Sequence, residues 1–309
     1  MLLVIQYTLI FTTVLALVAL GGMFSERSGV INLGLEGIMV IGALAGAIST
    51  VLLGKWGLPP VLNVVISILA SIIAGWLYSM LLGVACITFK ADQTITGTAL
   101  NIMSTALAVV IARMYTKTPS SEIMYDRSIF MLFKKIPISF LQDFELSIFV
   151  ILMALLVVSS FIFLFKTKFG LRLMACGEQP QAAASVGINV YVQRYLGVSL
   201  SGILGGLGGF AYIVQSGNYW DFKNGVAGFG FLALAVMIFG QWKPVKILLA
   251  SLLFGFCQTI SILYSGALNI PQFVYKMLPY IVCMIVLAIT SKKSRAPKAE
   301  GIPYDKSQR

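Results

Sequence analysis

KFGLRLMACGEQPQAAASVGINVYVQR, residues 168–194, is a polar, small-residue island in a chain that is otherwise almost continuously apolar. Long apolar runs flank it on both sides, so its reading decides whether the chain is one soluble core or a set of spans with short connections. Gly177-Glu178-Gln179-Pro180 followed by an alanine run predicts a short helix with proline in its first turn, and Gly187 as its stop. A short amphipathic helix held between two spans offers a grip for a soluble partner. A solvated connector accounts for the same residues.

Composition settles the class. Hydrophobic residues make up 59% of the 309-residue chain, charged residues 11%, and the mean hydropathy is +0.94. A soluble domain carries about 25% charged residues, so this chain cannot cover a water-facing surface. It reads as an all-α integral membrane protein. At about 20 apolar residues per span there is room for roughly eight to ten helices and no separate soluble domain. The net charge of +11 does not point to nucleic acid. Lys292, Lys293, Arg295, Lys298, Lys306 and Arg309 cluster beside the last apolar run, which is the positive-inside signal. The division is therefore a transmembrane domain, 1–291, with its central loop at 166–194, and a basic cytoplasmic tail, 292–309.

Cys86, Cys257 and Cys283 lie in apolar runs and Cys176 in the island, with no CxxC spacing and no histidine in the chain. Buried cysteine behaves as a small hydrophobe, so no disulfide, metal site or redox role is expected. The first apolar run, to Phe24, lacks a basic leader and is long enough to span, so it is expected to stay uncleaved.

The spans follow from the apolar runs: 2–24, Ile38–Gly54, Val61–Phe89, Thr98–Tyr115, Leu146–Phe165, Tyr195–Val214, Ile247–Ser265 and Met277–Thr290. Lys90–Gly97 reads as a polar connector and 116–145 as the one long loop. Gly228–Gly240 is apolar but too short to cross comfortably, and reads as a half-buried or broken helix. Counting it gives about nine crossings, which puts the N-terminus outside, the long loop outside and the island inside with the tail. A shift of 196 residues places Gly29-Val30 on Gly225-Val226 and Gly34 on Gly230. Spans one to four then echo six to nine as an inverted repeat, the sequence pointer to a transport path between halves.

Four stretches carry a resemblance: GLRLMACGEQPQAAASVGINV (170–190), SERSGVINLGLEGIMVIGALAGA (25–47), ADQTITGTALN (91–101) and GFGFLALAVMIFGQWKPVKILLASLLFG (228–255). Together they resemble ABC importer permeases of the branched-chain amino acid, simple-sugar and nucleoside superfamily, and most closely its nucleoside-type members served by a lipoprotein receptor. The resemblance implies the type II permease fold and a bacterial cell membrane. The implied partners are a second related permease, a cytoplasmic ATPase that carries ATP and magnesium, and an extracellular substrate-binding lipoprotein. It implies no cofactor in this chain. Gly177, Glu178, Pro180, Ala182, Ala183, Gly187 and Ile188 match the family's ATPase-coupling pattern. Cys176 departs from it, where related chains often have valine, with no consequence expected. The implied solute is a nucleoside; simple sugars, riboflavin-like compounds and branched-chain amino acids follow.

No Ser/His/Asp set, Cys/His pair or GxxxxGK[ST] loop is present, so the chain neither catalyses nor holds ATP phosphates itself. Asn32, Glu36, Thr94, Thr96, Thr98, Asn101 and Gln258 are polar groups in or near spans, read as a lining for a polar solute. Helix capping and interhelical hydrogen bonds of about 0.6 kcal/mol each explain any one of them better, whereas the group as a whole favours the lining. A charge at mid-bilayer costs roughly 2.5–3.5 kcal/mol, so Glu36 should face protein or water rather than lipid. Gly202, Gly205, Gly206, Gly208 and Gly209 have small-xxx-small spacings that suit close helix packing. Tyr219, Trp220 and Phe222 suit an interfacial aromatic belt or a stacked base. An ion-coupled secondary transporter would carry charges inside its spans, and a membrane enzyme would need histidines or a nucleophile set. Both are rivals that the residues do not favour.

Overall fold

The computed structural model describes residues 2–133, 145–264, 272–290 and 296–306. Its long helices are α1 (Leu2–Arg27), α2 (Leu35–Lys55), α3 (Pro60–Gly83), α4 (Gln93–Thr116), α5 (Ile148–Lys166), α8 (Val190–Ser216), α10 (Pro244–Leu263) and α11 (Gln272–Thr290). A π-helical turn, Val84–Thr88, continues α3. Between α5 and α8 lie α6 (Lys168–Glu178) and α7 (Pro180–Ser185), and α9 (Phe229–Phe239) precedes α10. Among the described residues, seven helices are long and apolar enough to cross a membrane: α1, α2, α3 with its π turn, α4, α5, α8 and α10. At roughly 1.5 Å per residue, the 11-residue α9 spans about half of the roughly 30 Å hydrocarbon core. It is the short element that its length predicted.

Polar caps set the helix starts, and they move several expected boundaries. Asp92 accepts from the Ile95 N–H at 2.9 Å, so α4 starts at Gln93 and takes in most of the connector expected at Lys90–Gly97. Asn189 accepts from the Val192 N–H at 3.2 Å and starts α8 five residues before Tyr195. Thr167 caps α6 through the Gly170 N–H at 3.2 Å, so the first part of the island is helical rather than looped. Pro60, Pro180 and Pro244 sit in the first turns of α3, α7 and α10, where a missing N–H costs nothing. The expected long loop also carries short strands. β1 (Glu122–Met124) pairs antiparallel with β4 (Tyr219–Asp221), and β2 (Met131–Phe133) with β3 (Leu146–Ser147).

These strands mark one end of the bundle, here the hairpin end. At the other end α6, α7 and residues 296–306 meet the C-terminus of α1, and this is the tail end. The chain starts at the hairpin end, where Gln6 and Tyr7 line a cavity with Arg127 and Ser147. Residues 296–306 lie at the tail end, against Gly177 and Arg194.

The repeat is visible in the packing. α1 lies against α9 and α10, while its counterpart α8 lies against α2 and α3, and α1 and α8 lie against each other. Gly29 and Gly225, 196 residues apart, both have positive φ, +94° and +55°. Each turns the chain between the first helix of its repeat and the second. α8 is the most buried long helix. A Cβ on Gly42, Gly75, Gly202, Gly206 or Gly209 would press into the facing helix, with Gly42 and Gly75 both against Gly206. The small-residue spacing in α8 is thus a seam on which α2 and α3 approach backbone to backbone.

Candidate functional site

Two groups of candidate residues separate in the structure, one at the tail end and one at mid-depth. At the tail end, α6 ends where Gly177 meets α1. A Cβ on Gly177 would overlap the Arg27 carbonyl, so glycine is what lets α6 seat there. Glu178 faces Arg27 across 3.9 Å, and its side chain stays partly open. Pro180 opens α7. Ala182 is exposed, whereas Ala183 is 3% exposed and is buried with Cys176, Val190 and Tyr304. The two alanines, read alike from sequence, therefore face opposite ways. Ile188 packs on that cluster, and Gly187 turns the chain with φ +84° and nothing within 4 Å of a would-be Cβ. Burial pushes the Cys176 thiol up to about 11.

The tail lies on this platform. The Ala299 N–H donates to the Gly177 carbonyl at 2.9 Å. Arg194 Nη1 donates to the Ile302 carbonyl at 2.9 Å and Gln181 Nε2 to the Asp305 carbonyl at 3.1 Å. Lys90 Nζ meets Asp305 at 2.9 Å, and Tyr304 packs edge-on to Tyr191 at 5.3 Å between ring centroids. Burial raises the Glu300 carboxyl above its ordinary range, opposed by its hydrogen bond with Glu26. Residues 296–306 thus tie α1, α6, α7, α8 and the connector before α4 into one face.

At mid-depth the breaks of the two repeats meet. Both oxygens of Glu36, in the first turn of α2, accept from the start of α9: Oε1 from the Gly228 N–H at 2.8 Å and Oε2 from the Gly230 N–H at 2.7 Å. A carboxylate on a helix N-terminus satisfies donors that the helix leaves unpaired and complements its dipole. Asn101 grips the other break, donating to the Leu33 carbonyl and accepting from the Gly37 N–H, each at 2.8 Å. Asn32 is fully buried and donates to Ser201 at 2.8 Å.

Thr94 and Thr98 lie one turn apart on the exposed face of α4, with Thr96 half-buried beside them. The Thr96 and Thr98 hydroxyls bond back to carbonyls of their own helix. Gln258 is apart from all of these, lining the cavity at the hairpin end. Asn32, Glu36 and Asn101 are brought together; the threonines and Gln258 are not. Phe222 is fully buried and Trp220 Nε1 donates to the Gly225 carbonyl at 2.8 Å, so these rings hold the second break rather than forming a surface belt. Tyr219 alone of the three is exposed.

Sequence reasoning passed over Gln93, whose Oε1 accepts from the Ile31 N–H at 2.7 Å, and Trp242, whose Nε1 donates to Glu26 at 2.6 Å. Gln93 sits in what reads as a polar connector, where one more amide carries no signal. Among the described residues no three His, Cys, Asp or Glu side chains group as metal ligands.

The family described as branched-chain amino acid transport system / permease component matches residues 4–287. The guanosine ABC transporter permease NupQ of Bacillus subtilis is 40% identical over 99% of this chain and 97% of its own length. The nucleoside ABC transporter permease NupC of Lactococcus lactis subsp. cremoris is 39% identical over 99% and 97%. A second guanosine permease of B. subtilis, NupP, is 26% identical over 86% of this chain and 73% of its own length. The chain belongs to this family of ABC importer permeases, as the four quoted stretches implied.

Proposed function

We propose that the chain is one membrane-spanning half of an ATP-driven nucleoside importer, paired with a second, related permease. Its tail end faces the cytoplasm, consistent with the basic residues that follow the last helix. Identities of 40% and 39% to a guanosine and a nucleoside permease support the solute class. The two B. subtilis permeases, one similar at 40% and the other at 26%, support a paralogous partner over a second copy.

The observation that carries the coupling role is α7. It presents Gln181, Ala182, Ser185 and Val186 outward while Ala183 anchors it from beneath. A small-residue face braced on α6 and α8 suits a groove on an ATPase, and Gly177 and Glu178 of α6 pass any push to Arg27. ATP and magnesium reside on that ATPase, and an extracellular lipoprotein delivers the solute. The path opens to one side at a time, with the Glu36 contact to α9 as the joint between the moving halves.

Ala182→Trp tests this. It should abolish solute-stimulated ATP hydrolysis of the reconstituted transporter while the thermal midpoint of the permease stays within about 1 °C, since surface changes are generally near neutral. Wild-type stimulation by nucleosides retained in Ala182→Trp would remove the coupling role from α7.

A further inference from the structure

The hairpin-end half of the chain contains a cavity of about 350 Å³ between α1, α5, α8 and α10. That volume lies within the roughly 300–1,000 Å³ typical of small-molecule sites. Its walls combine two chemistries. Gln6 of α1, Gln215 of α8 and Gln258 of α10 bring three carboxamides to it. Tyr7, Phe11, Tyr212 and Phe229 bring rings already in contact with one another, Tyr7 on Phe11 at 6.4 Å, Phe11 on Phe229 at 5.8 Å and Tyr212 on Phe229 at 4.6 Å between centroids.

Gln215 is the decisive residue. It is 5% exposed, and neither its Oε1 nor its Nε2 has a hydrogen-bond partner among the described residues. Leaving a buried amide unpaired is costly, and a leucine would fill the same space without that cost. An amide kept in such a place has a use for its donor and acceptor.

We propose that this cavity is a nucleoside-binding site within the single permease chain, with the base stacked on the aromatic wall and its polar edge paired to Gln215 and Gln258. This rests on the nucleoside reading above. A carboxamide offers a donor beside an acceptor, the pattern that pairs bidentately with a base edge. Base stacking on aromatic side chains tolerates any base, so the site accepts several nucleosides. Arg127 and Glu145, 3.4 Å apart, stand in the wall contributed by the loop and the start of α5. Phe229 on the opposite side is the first residue of α9, whose N-terminus Glu36 holds. Occupancy would therefore be felt at the joint between the halves.

The test is binding of tritiated guanosine to the complete transporter in nanodiscs without the lipoprotein, alongside uptake by proteoliposomes. Wild type should bind saturably, with inosine competing and D-ribose not. Gln215→Leu should weaken binding and raise the uptake KM at least tenfold without lowering the thermal midpoint. Gln258→Leu should do so severalfold. Uptake by wild type with unchanged KM in both variants would overturn the site and leave the importer reading standing. A higher midpoint in Gln215→Leu with binding intact would show that the cavity holds only water. Absence of nucleoside binding and uptake in wild type would overturn both readings.

Discussion

The two breaks of the inverted repeat begin from the same signal and end in different structures. Between α1 and α2 the chain turns at Gly29, and the 21-residue α2 follows. Between α8 and α9 it turns at Gly225, and α9 stops after 11 residues. The backbone amides of the first break are held from within its own repeat, by Gln93 and Asn101 of α4, while the Asn32 side chain reaches Ser201 of α8. The second is held across repeats at the start of α9, by Glu36 of α2. A break whose amides are capped by its own repeat keeps its shape when that repeat moves. A break secured by the other repeat is a joint, and it is the better candidate for the part that changes during transport.

The largest expected effect lies where both repeats depend on one seam. Gly42→Leu drives a side chain into the Gly206 backbone. Overpacking costs typically about 1–3 kcal/mol even where side chains can shift, and here backbone faces backbone. Monodisperse protein should be lost on fluorescence-detected size exclusion, and normal recovery would mean α2 and α8 are not in close contact.

Glu36→Leu comes next. It strips partners from two backbone donors, each worth about 1–3 kcal/mol when buried. Hydrogen exchange should accelerate at residues 228–232 and leave 31–37 protected, whereas Asn101→Leu should do the reverse. Equal acceleration at both breaks in either variant would erase the distinction between them.

A smaller pair of changes sharpens it. Gly225→Ala should cost only backbone strain, about 1–3 kcal/mol, since φ +55° with ψ −131° favours glycine and its would-be Cβ meets nothing nearer than 3.8 Å. Gly29→Ala should cost more, because φ is +94° and Arg194 Nη2 would lie 3.0 Å away. Thermal midpoints in one detergent give the order.

The smallest effect is a pH dependence at the tail. Burial raises the Glu300 carboxyl, so the docked tail binds its proton more tightly than the free tail does. Docking is therefore fully favoured below the free value of about 4.3 and weakens as pH rises toward the docked value. Protease cleavage after Lys298 should increase over that window, and Glu300→Gln should flatten the change.

Much of this architecture is local and was legible in the sequence. Apolar runs located the spans because each must match the bilayer thickness on its own. Pro180 and Gly187 bounded α7 through their own backbone preferences, and the 196-residue echo located both breaks. The shift at α4 was also local, since Asp92 is a capping residue that the apolar pattern outweighed. The mixed fates of Ala182 and Ala183 were not local. On so short a helix the buried side depends on what lies beneath it, here Cys176, Val190 and the returning Tyr304.

The sequence alone therefore determined the membrane class, the apolar spans and the places where the repeats break, because hydropathy and backbone preference act within a few residues. Only the tertiary structure decided the partners across the fold. Glu36 holds amides almost 200 residues away, the tail lies on α6, α7 and α8, and Gln215 faces a cavity with its amide unpaired among the described residues. A polar side chain in a span must find a partner, but which one is set by the helix brought to face it.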